Sequence, residues 1–214
     1  MTLPVIIIGS GGHASVVADA LLAAGRQVLG CTDSDTLRHD ALVCGLPVLG
    51  DDAVLSRYSP ATVQLANGIG GTHGEPLRAR VQGKLEAQGW QFTQVRHPSA
   101  IVSPFASVAG SAQLMARAVV QPGAVVGHGC IVNTGAVVEH DVVMEQFVHL
   151  ACGAVLCGQV QVGAHSHIGA AAVVRQAVVL GHHTVVGAGA AVVRPCAGGR
   201  TLVGVPAIDR GRPT

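Results

Sequence analysis

The chain has 214 residues, enough for one large or two modest domains. Its 13 basic residues nearly balance its 12 acidic ones and form no cluster, which argues against nucleic-acid binding. No apolar run approaches the length of a membrane span, and the first residues do not resemble a signal peptide. The six cysteines form no CxxC pair, as expected for reduced thiols. These features predict a cytoplasmic protein that is not inserted in a membrane.

The N-terminal segment predicts a strand, a glycine-rich turn and a helix. Residues 4–9, PVIIIG, are typical of a buried parallel strand, and a helical pattern runs through ASVVADALLAAG. The turn between them, GSGGHA at 9–14, matches G-x-G-x-x-A, and Asp33 ends the next strand at the spacing of a ribose-binding acid. Glycines in such a turn let backbone N–H groups approach a diphosphate. A tight turn needed only for packing remains the alternative.

The rest of this region predicts only half of a dinucleotide-binding fold. A short strand is expected at 46–50 and further strands at 62–66 and 92–95, with a helix over 75–88 between the last two. Residues 1–97 therefore form a Rossmann-like domain with three or four parallel strands. This domain has room for one nucleotide, which argues against an NAD-dependent dehydrogenase.

A period of six residues dominates the second half of the chain. Every sixth position from Val102 to Val192 is aliphatic, and the residue four places after each is small or β-branched. The sixteen positions are Val102, Val108, Leu114, Val120, Val126, Val132, Val138, Met144, Leu150, Leu156, Val162, Ile168, Val174, Leu180, Val186 and Val192. Neither a helix nor an ordinary strand repeats every six residues.

The period of six predicts a parallel β-helix over residues 98–207. One large side chain points inward from each flat face, the small residues fit the corners, and three faces close a coil of about 18 residues. Coils would stack roughly 4.8 Å apart, giving about five coils. Residues 208–214 are expected to form a tail. A Val/Ala-rich sandwich or a doubly wound sheet is the alternative, but no hairpin turn interrupts the repeat.

Two histidines mark the chemistry on this regular scaffold. His140 has an acid on either side, and a neighbouring carboxylate suits an imidazole to act as a general base. His149 lies in the next hexad. The other histidines of the repeat are expected on solvated outward positions: His128, His165, His167, His182 and His183. His165 and His183 lie one predicted coil apart and should stack, but ligands at matched spacing are missing, so no metal is expected.

Several motifs together resemble one family. They are GSGGHA at 9–14, Asp33, HPSA at 97–100, NTGAVVEHD at 133–141, FVHLA at 147–151, GAGA at 187–190 and GVPA at 204–207. The chain resembles the left-handed β-helix acyltransferases, in particular the bacterial nucleotide-aminosugar N-acetyltransferases and the related sialic acid O-acetyltransferases. The resemblance covers nearly the whole chain.

The resemblance implies a homotrimer that uses acetyl-CoA and a nucleotide-linked amino sugar, with active sites between neighbouring solenoids. His140 matches the catalytic base and Asp141 the acid that orients it. The residues implied for acetyl-CoA are His149, Gly158, Gly169, Ala170, Gly187 and Ala188, with the Gly158 N–H facing the oxyanion. The residues implied for the nucleotide sugar are Gly9, Ser10, Gly11, Gly12, His13, Asp33 and Asn133.

The expected reaction is direct acetyl transfer to the amino group of a UDP-linked amino-deoxy sugar. O-acetylation of sialic acid or another sugar hydroxyl is the first alternative, since a hydroxyl also needs a base. A catalytically dead sugar-nucleotide sensor and an NAD-dependent enzyme are further alternatives. An acyl-cysteine route through Cys152 or Cys157 is disfavoured, because neither thiol has an evident activating partner.

Overall fold

A computed structural model describes residues 2–71 and 77–211. The chain divides into two compact units. Residues 2–70 and 77–98 form an N-terminal unit, and Gly71 groups with residues 99–211 in a solenoid unit.

The N-terminal unit is built on a small parallel sheet in which strand Val5–Ile8 lies between strands Val28–Thr32 and Gln64–Asn67. Its elements are β1 (Val5–Ile8), α1 (Gly12–Ala23), β2 (Val28–Thr32), β3 (Leu42–Val43), β4 (Leu46–Pro47), β5 (Gln64–Asn67), α2 (Leu77–Ala87) and β6 (Val95–Arg96). The central strand β1 is buried along its whole length, as its run of four branched apolar residues predicts. A hydrophobic cluster on it includes Ile6, Leu65 and Trp90.

The helix predicted over 75–88 is present as α2, and Glu75 lies outside the described residues. The strand predicted at 92–95 is reduced to a single parallel bridge from Phe92 to Leu65, followed by β6. The short strand predicted at 46–50 is present as β4, followed by a parallel bridge from Val48 to Cys31. Its antiparallel partner β3 was not predicted, since a two-residue strand leaves no periodic signal.

The solenoid unit has three faces of parallel two-residue strands, each strand paired with its equivalent on the next coil. The first face contains Ile101–Val102, Val119–Val120, Val137–Val138, Val155–Leu156, Val173–Val174 and Ala191–Val192. The second contains Ser107–Val108, Val125–Val126, Val143–Met144, Gln161–Val162 and Val179–Leu180. The third contains Gln113–Leu114, Ile131–Val132, His149–Leu150, His167–Ile168, Val185–Val186 and Thr201–Val203. Strand Ile208–Asp209 then pairs antiparallel with the last of these.

The hexad residues form the solenoid core, as the period predicts. The second residue of each strand points inward, and the small residue four places on is also buried, as Val120 and Ala124 illustrate. Full burial of such a Val or Leu stabilises the fold by about 1.5–3 kcal/mol. Six strands on the first face correspond to about six turns, one more than the length alone predicted.

Three corners join the faces, and each is tight. We call the turns from first to second face the first corner, those from second to third the second corner, and those from third to first the third corner. From Arg117 to Gly189, each turn has one residue with positive φ, such as Asp141 (58°), Phe147 (55°) and Gly153 (66°). Because positive φ angles favour glycine, the other residues at these positions have a strained backbone. None of the described helices is long and apolar enough to cross a membrane.

Candidate active site

His140 and Asp141 form a hydrogen-bonded pair on the first corner. His140 Nδ1 lies 2.9 Å from Asp141 Oδ2, and the two side chains are 51% and 60% exposed. A carboxylate is an acceptor, so Nδ1 carries the proton and Nε2 keeps a lone pair. Of the two acids that flank His140 in sequence, Asp141 is therefore the one that orients the ring. The pair can accept a proton at Nε2 from a group that approaches from solvent.

Two glycines on the adjacent coils make room for this pair. A Cβ added at Gly158, on the following coil, would overlap the His140 imidazole, and one added at Gly123, on the preceding coil, would overlap the Asp141 carboxylate. The Gly158 N–H makes no hydrogen bond among the residues that the structure describes. A free backbone donor thus lies beside the imidazole, where it can stabilise a developing negative charge.

His149 lies on the third face and is held at both ring nitrogens. Its Nδ1 donates to the Gly71 carbonyl at 2.8 Å, and Asn133 Nδ2 donates to Nε2 at 3.2 Å. Both bonds fix the same tautomer, with the proton on Nδ1. The His167 ring packs edge-on against it, with centroids 4.8 Å apart. His149 is therefore held in one orientation by uncharged partners, unlike the acid-paired His140.

The remaining residues expected to contact acetyl-CoA lie on the third corner. Gly169 and Gly187 directly follow strands of the third face, one coil apart, and each is followed by an alanine, Ala170 and Ala188. A Cβ at Gly169 would lie 2.6 Å from the Ala188 nitrogen, so this corner requires glycine for close coil packing. Asn133 starts the same corner two coils before Gly169.

The sequence-predicted residues thus fall into two groups on the solenoid. The first corner brings together His140, Asp141 and Gly158. The third face and third corner carry the other group, comprising Asn133, His149, Gly169, Ala170, Gly187 and Ala188. In a coil with three faces, the third face is opposite the first corner. One chain therefore does not bring His140 and His149 to the same point.

Four other histidines, His128, His165, His182 and His183, form a column of rings with Phe147 on the second corner. Phe147 stacks on His165 at 5.6 Å and His165 on His183 at 5.1 Å between ring centroids. His128 and His182 pack edge-on against this column. Burial lowers the pKa of His165 below its ordinary value, and His183 and His182 lower it further. The expected stacking of His165 on His183 is confirmed. His182 and His183 are exposed, as the sequence predicted, whereas His128 and His165 are half-buried within the column.

The glycine-rich turn of the N-terminal unit is tied to Asp33. The Ser10 N–H donates to Asp33 Oδ2 at 3.1 Å, the Ser10 hydroxyl donates to the same oxygen, and the Asp35 N–H donates to Oδ1 at 2.9 Å. Burial alone would raise the pKa of Asp33, but these hydrogen bonds and Arg38 hold it below its usual value. Asp33 therefore has a structural role in the turn.

Helix α1 begins at Gly12 directly after this turn. Its N-cap, Gly11, makes no side-chain capping bond, and no acid lies in the first turn. Gly9 has a φ of 97°. The start of this helix thus presents backbone N–H groups, and helix starts of this kind attract anions.

Three residues of these sites were not predicted from the sequence. Arg38 donates to the Ser10 carbonyl at 2.7 Å and lies 3.7 Å from Asp33, so it adds a cation to the glycine-rich turn. Gly71 binds His149 across 78 residues of sequence, which no local pattern could reveal. Gly123 was detectable, because it lies one coil before Asp141 and thus beneath it in the coil register.

Neither Cys152 nor Cys157 is paired with an activating group among the residues that the structure describes. Cys152 is exposed and Cys157 half-buried, and both are free thiols. Within the described residues, no group of three or more His, Cys, Asp or Glu side chains could hold a metal ion.

Comparisons with known proteins find relatives that match nearly the whole chain. Residues 4–84 match the family described as the PglD N-terminal domain. The acetyltransferase domain of PglB from Neisseria gonorrhoeae, solved also with acetyl coenzyme A, is 34% identical, with 97% of this chain and 100% of that chain covered and a TM-score of 0.90. Perosamine N-acetyltransferase from Caulobacter crescentus, solved as a histidine variant with CoA and GDP-perosamine, is 35% identical over 99% and 98%, with a TM-score of 0.91.

WeeI from Acinetobacter baumannii, at 20% identity and a TM-score of 0.76 over 97% of this chain, shares the fold. Comparison with the curated proteins gives no match.

The fold and these relatives define the class: the chain belongs to the hexapeptide-repeat sugar acetyltransferases. It combines a Rossmann-like half-domain with a left-handed parallel β-helix, as the sequence predicted. It is an acetyltransferase that takes its acetyl group from acetyl-CoA.

Proposed function

We propose that this protein transfers acetyl from acetyl-CoA to the amino group of a nucleotide-linked amino sugar, with His140 as the general base. The observation that carries the proposal is the His140–Asp141 hydrogen bond beside the free Gly158 N–H. This arrangement supplies a base and an oxyanion donor at one point of the first corner. Support for an amino-sugar acceptor comes from the perosamine N-acetyltransferase, which binds GDP-perosamine.

The reaction follows from this geometry. His140 Nε2 accepts the proton that the sugar ammonium must lose before it can attack. The nitrogen adds to the thioester carbonyl, the Gly158 N–H stabilises the oxyanion, and the added nitrogen loses its extra proton to water. The C–S bond then breaks, and the imidazolium gives its proton to the departing sulfur. Asp141 stabilises the imidazolium while it exists.

The two residue groups would meet in a homotrimer. All six outward residues of the first face are apolar: Ile101, Val119, Val137, Val155, Val173 and Ala191. Ile101 is 67% and Val173 41% exposed, and a continuous apolar row on a surface indicates an interface. If this face packs around a three-fold axis, the flanking first and third corners approach neighbouring chains. His140 of one chain would then approach Asn133 and His149 of the next.

The nucleotide of the sugar is assigned to the N-terminal unit. The candidate residues are Gly9, Ser10, Gly11, Gly12, His13 and Asp33, to which the structure adds Arg38 as a cation beside the turn. The backbone donors of α1 and this guanidinium suit a diphosphate. Asp33 is expected to act mainly by holding the turn, since Ser10 and Asp35 already occupy its oxygens.

A panel of UDP-, GDP- and dTDP-linked amino sugars with acetyl-CoA tests the reaction by thiol release. Matched nucleotide sugars with a hydroxyl in place of the amine separate N- from O-acetylation. UDP stays the nucleotide predicted from the sequence, and GDP is the rival that the perosamine enzyme suggests. Thiol release with no member of the panel, or only with the hydroxyl compounds, contradicts N-acetylation.

Mixing two inactive variants tests the shared site. His140→Ala and His149→Ala homotrimers are unfolded, mixed and refolded together. If each site takes His140 and His149 from different chains, random mixing restores roughly a quarter of the sites. The control mixes His140→Ala with Asp141→Ala, two changes in the same half of the site, and should restore nothing. No recovery in the first mixture, with trimers intact by light scattering, places both histidines in one chain or removes His149 from the site.

A further inference from the structure

A chain of hydrogen bonds joins the third face to the third corner. The Gly71 carbonyl accepts from His149 Nδ1 at 2.8 Å, and Asn133 Nδ2 lies 3.2 Å from His149 Nε2. At the other end, the Thr134 N–H donates to Asn133 Oδ1 at 2.8 Å. Residues from three separate stretches of the sequence are therefore held in one network.

The two backbone groups at its ends fix the direction of every bond. A backbone carbonyl can only accept and a backbone N–H can only donate. Gly71 therefore requires the proton of His149 on Nδ1, and Thr134 requires the Asn133 oxygen on its own side. The Asn133 amide nitrogen must then donate to the lone pair of His149 Nε2. Turning over the amide or moving the ring proton would set two donors or two acceptors against each other.

This order leaves one N–H of Asn133 to offer. An amide nitrogen has two hydrogens, and His149 accepts only one of them. The second makes no hydrogen bond to any residue that the structure describes. His149 Nε2 is already an acceptor in this network and has no N–H to give. In this group of residues, the side-chain donor is thus the Asn133 amide and not the imidazole that the sequence singled out.

The His149 ring is closely confined, so it can hold the amide in place. A Cβ added at Gly71 would lie 3.3 Å from His149 Nδ1, so the backbone lies close to the ring at a position where glycine leaves the most room. The His167 ring packs edge-on against it with centroids 4.8 Å apart. A donor that is already oriented needs no reorganisation when charge develops near it.

We propose that the Asn133 amide is a second oxyanion donor and that His149 and Gly71 are positioning residues that orient it. The inference rests on the proposed function, which brings Asn133 of one chain near His140 and Gly158 of the next. The thioester oxygen gains negative charge when the amine adds, so it suits an N–H donor. The amine does not, because a donor would occupy the lone pair that must attack. The resemblance instead implied that Asn133 binds the nucleotide sugar.

Steady-state thiol release by the full-length protein distinguishes these two roles. Asn133→Ala should lower kcat by roughly 100- to 1000-fold, the cost of losing one oxyanion donor, and leave both KM values within about threefold. Alanine is compatible with this corner, since Ala151 occupies the equivalent position on the next coil. Asn133→Asp keeps the size of the side chain but removes both N–H groups, so its kcat should fall at least as far.

Two variants of His149 test the positioning role. The side-chain oxygen of His149→Gln reaches about as far as Nε2 and can accept from Asn133. Glutamine is compatible with this face, since Gln113 occupies the equivalent position two coils earlier. The shorter His149→Asn can replace only the bond to Gly71. We expect the kcat of the glutamine variant to exceed that of the asparagine variant by at least about tenfold. Loss of packing alone would lower both alike.

A control variant and a spectrum complete the test. Arg117→Asn changes an exposed residue of the third corner and tolerates its positive φ, so kcat should stay within about threefold of the wild type. The melting temperature of every variant is measured alongside. Nitrogen-15 NMR of labelled histidine reports the ring proton of His149 without any turnover, and we expect it on Nδ1.

Four results would overturn the inference. They are near-full kcat of Asn133→Ala, a higher KM for the sugar with unchanged kcat, equal kcat of the two His149 variants, and a His149 proton on Nε2. The second would return Asn133 to the sugar, and the last would make the imidazole the donor. Failure of the proposed function is distinct, because wild-type protein would then release no thiol with any amino sugar while its His149 proton stays on Nδ1.

Discussion

The first and second corners of the solenoid have the same backbone and carry histidines used in different ways. On the first corner, His140 has glycines of the neighbouring coils beside it and its partner, and a carboxylate fixes its proton. On the second corner, His165 lies between the rings of Phe147 and His183. A ring covered on both faces is part of the packing, whereas a ring with an exposed edge and an acid partner is open to chemistry. The residues one coil away therefore determine whether a corner histidine is part of the packing or is open to chemistry.

The largest effect that this comparison predicts comes from removing the imidazole of each corner in turn. His140→Ala should lower kcat/KM by roughly two to four decades, because the general base is lost. The control is His183→Ala, which removes a ring of the second corner and should leave kcat/KM within about threefold of the wild type. Steady-state thiol release measures both. Near-full activity of His140→Ala would exclude it as the base.

Filling the space beside the base tests the role of the neighbouring glycine. Gly158→Ala adds a methyl group that overlaps the imidazole, so the ring must move, and a shift of about 1 Å can cost roughly 100-fold in rate. Gly110→Ala is the matched control, since its Cβ would meet no atom within 4 Å. The measurement is kcat with saturating acetyl-CoA, together with the melting temperature. Equal activity of the two variants would contradict the crowding argument.

Neutralising the acid of the first corner should have a smaller effect. Asp141→Asn keeps the size of the side chain and tolerates the positive φ, but it no longer stabilises the imidazolium. We expect kcat to fall by about 10- to 100-fold, the range for losing a residue that orients a functional group. Glu139→Gln should cost far less, since no hydrogen bond joins it to the ring. If Glu139→Gln is the more damaging change, the orienting acid has been misassigned.

The smallest predicted effect concerns stability at the second corner. The pKa of His165 is lower in the folded chain than in the unfolded chain, so acidification protonates the unfolded state first. Stability should therefore fall as the pH drops through about 6.5 and below. His165→Phe keeps a stacking ring without a titrating group. It should reduce, by roughly 1–3 °C, the fall in melting temperature that acidification causes. A pH dependence identical to that of the wild type would show that other groups account for the acid sensitivity.

The sequence predicted the elements whose signals repeat or lie close together. The six-residue period predicted the solenoid. The face or corner on which any residue lies then follows from its place in the repeat. His140 and Asp141 were recognisable because they are adjacent. The bond between His149 and Gly71 was not, because it joins a strand of the solenoid to a distant loop. Arg38 was missed for a similar reason, since a short 3-10 turn carries it to Ser10 and no periodicity marks it.

The stacking of coils makes the solenoid a molecular ruler. Distance along a corner is counted in whole coils, so insertion of one coil after Gly158 would move every later residue of that corner by roughly 4.8 Å and leave every face aligned. Any other insertion length would have to bulge from a corner or break the ladder. Evolution or design can thus lengthen the surface beyond His140 in fixed steps, without altering the backbone that positions His140.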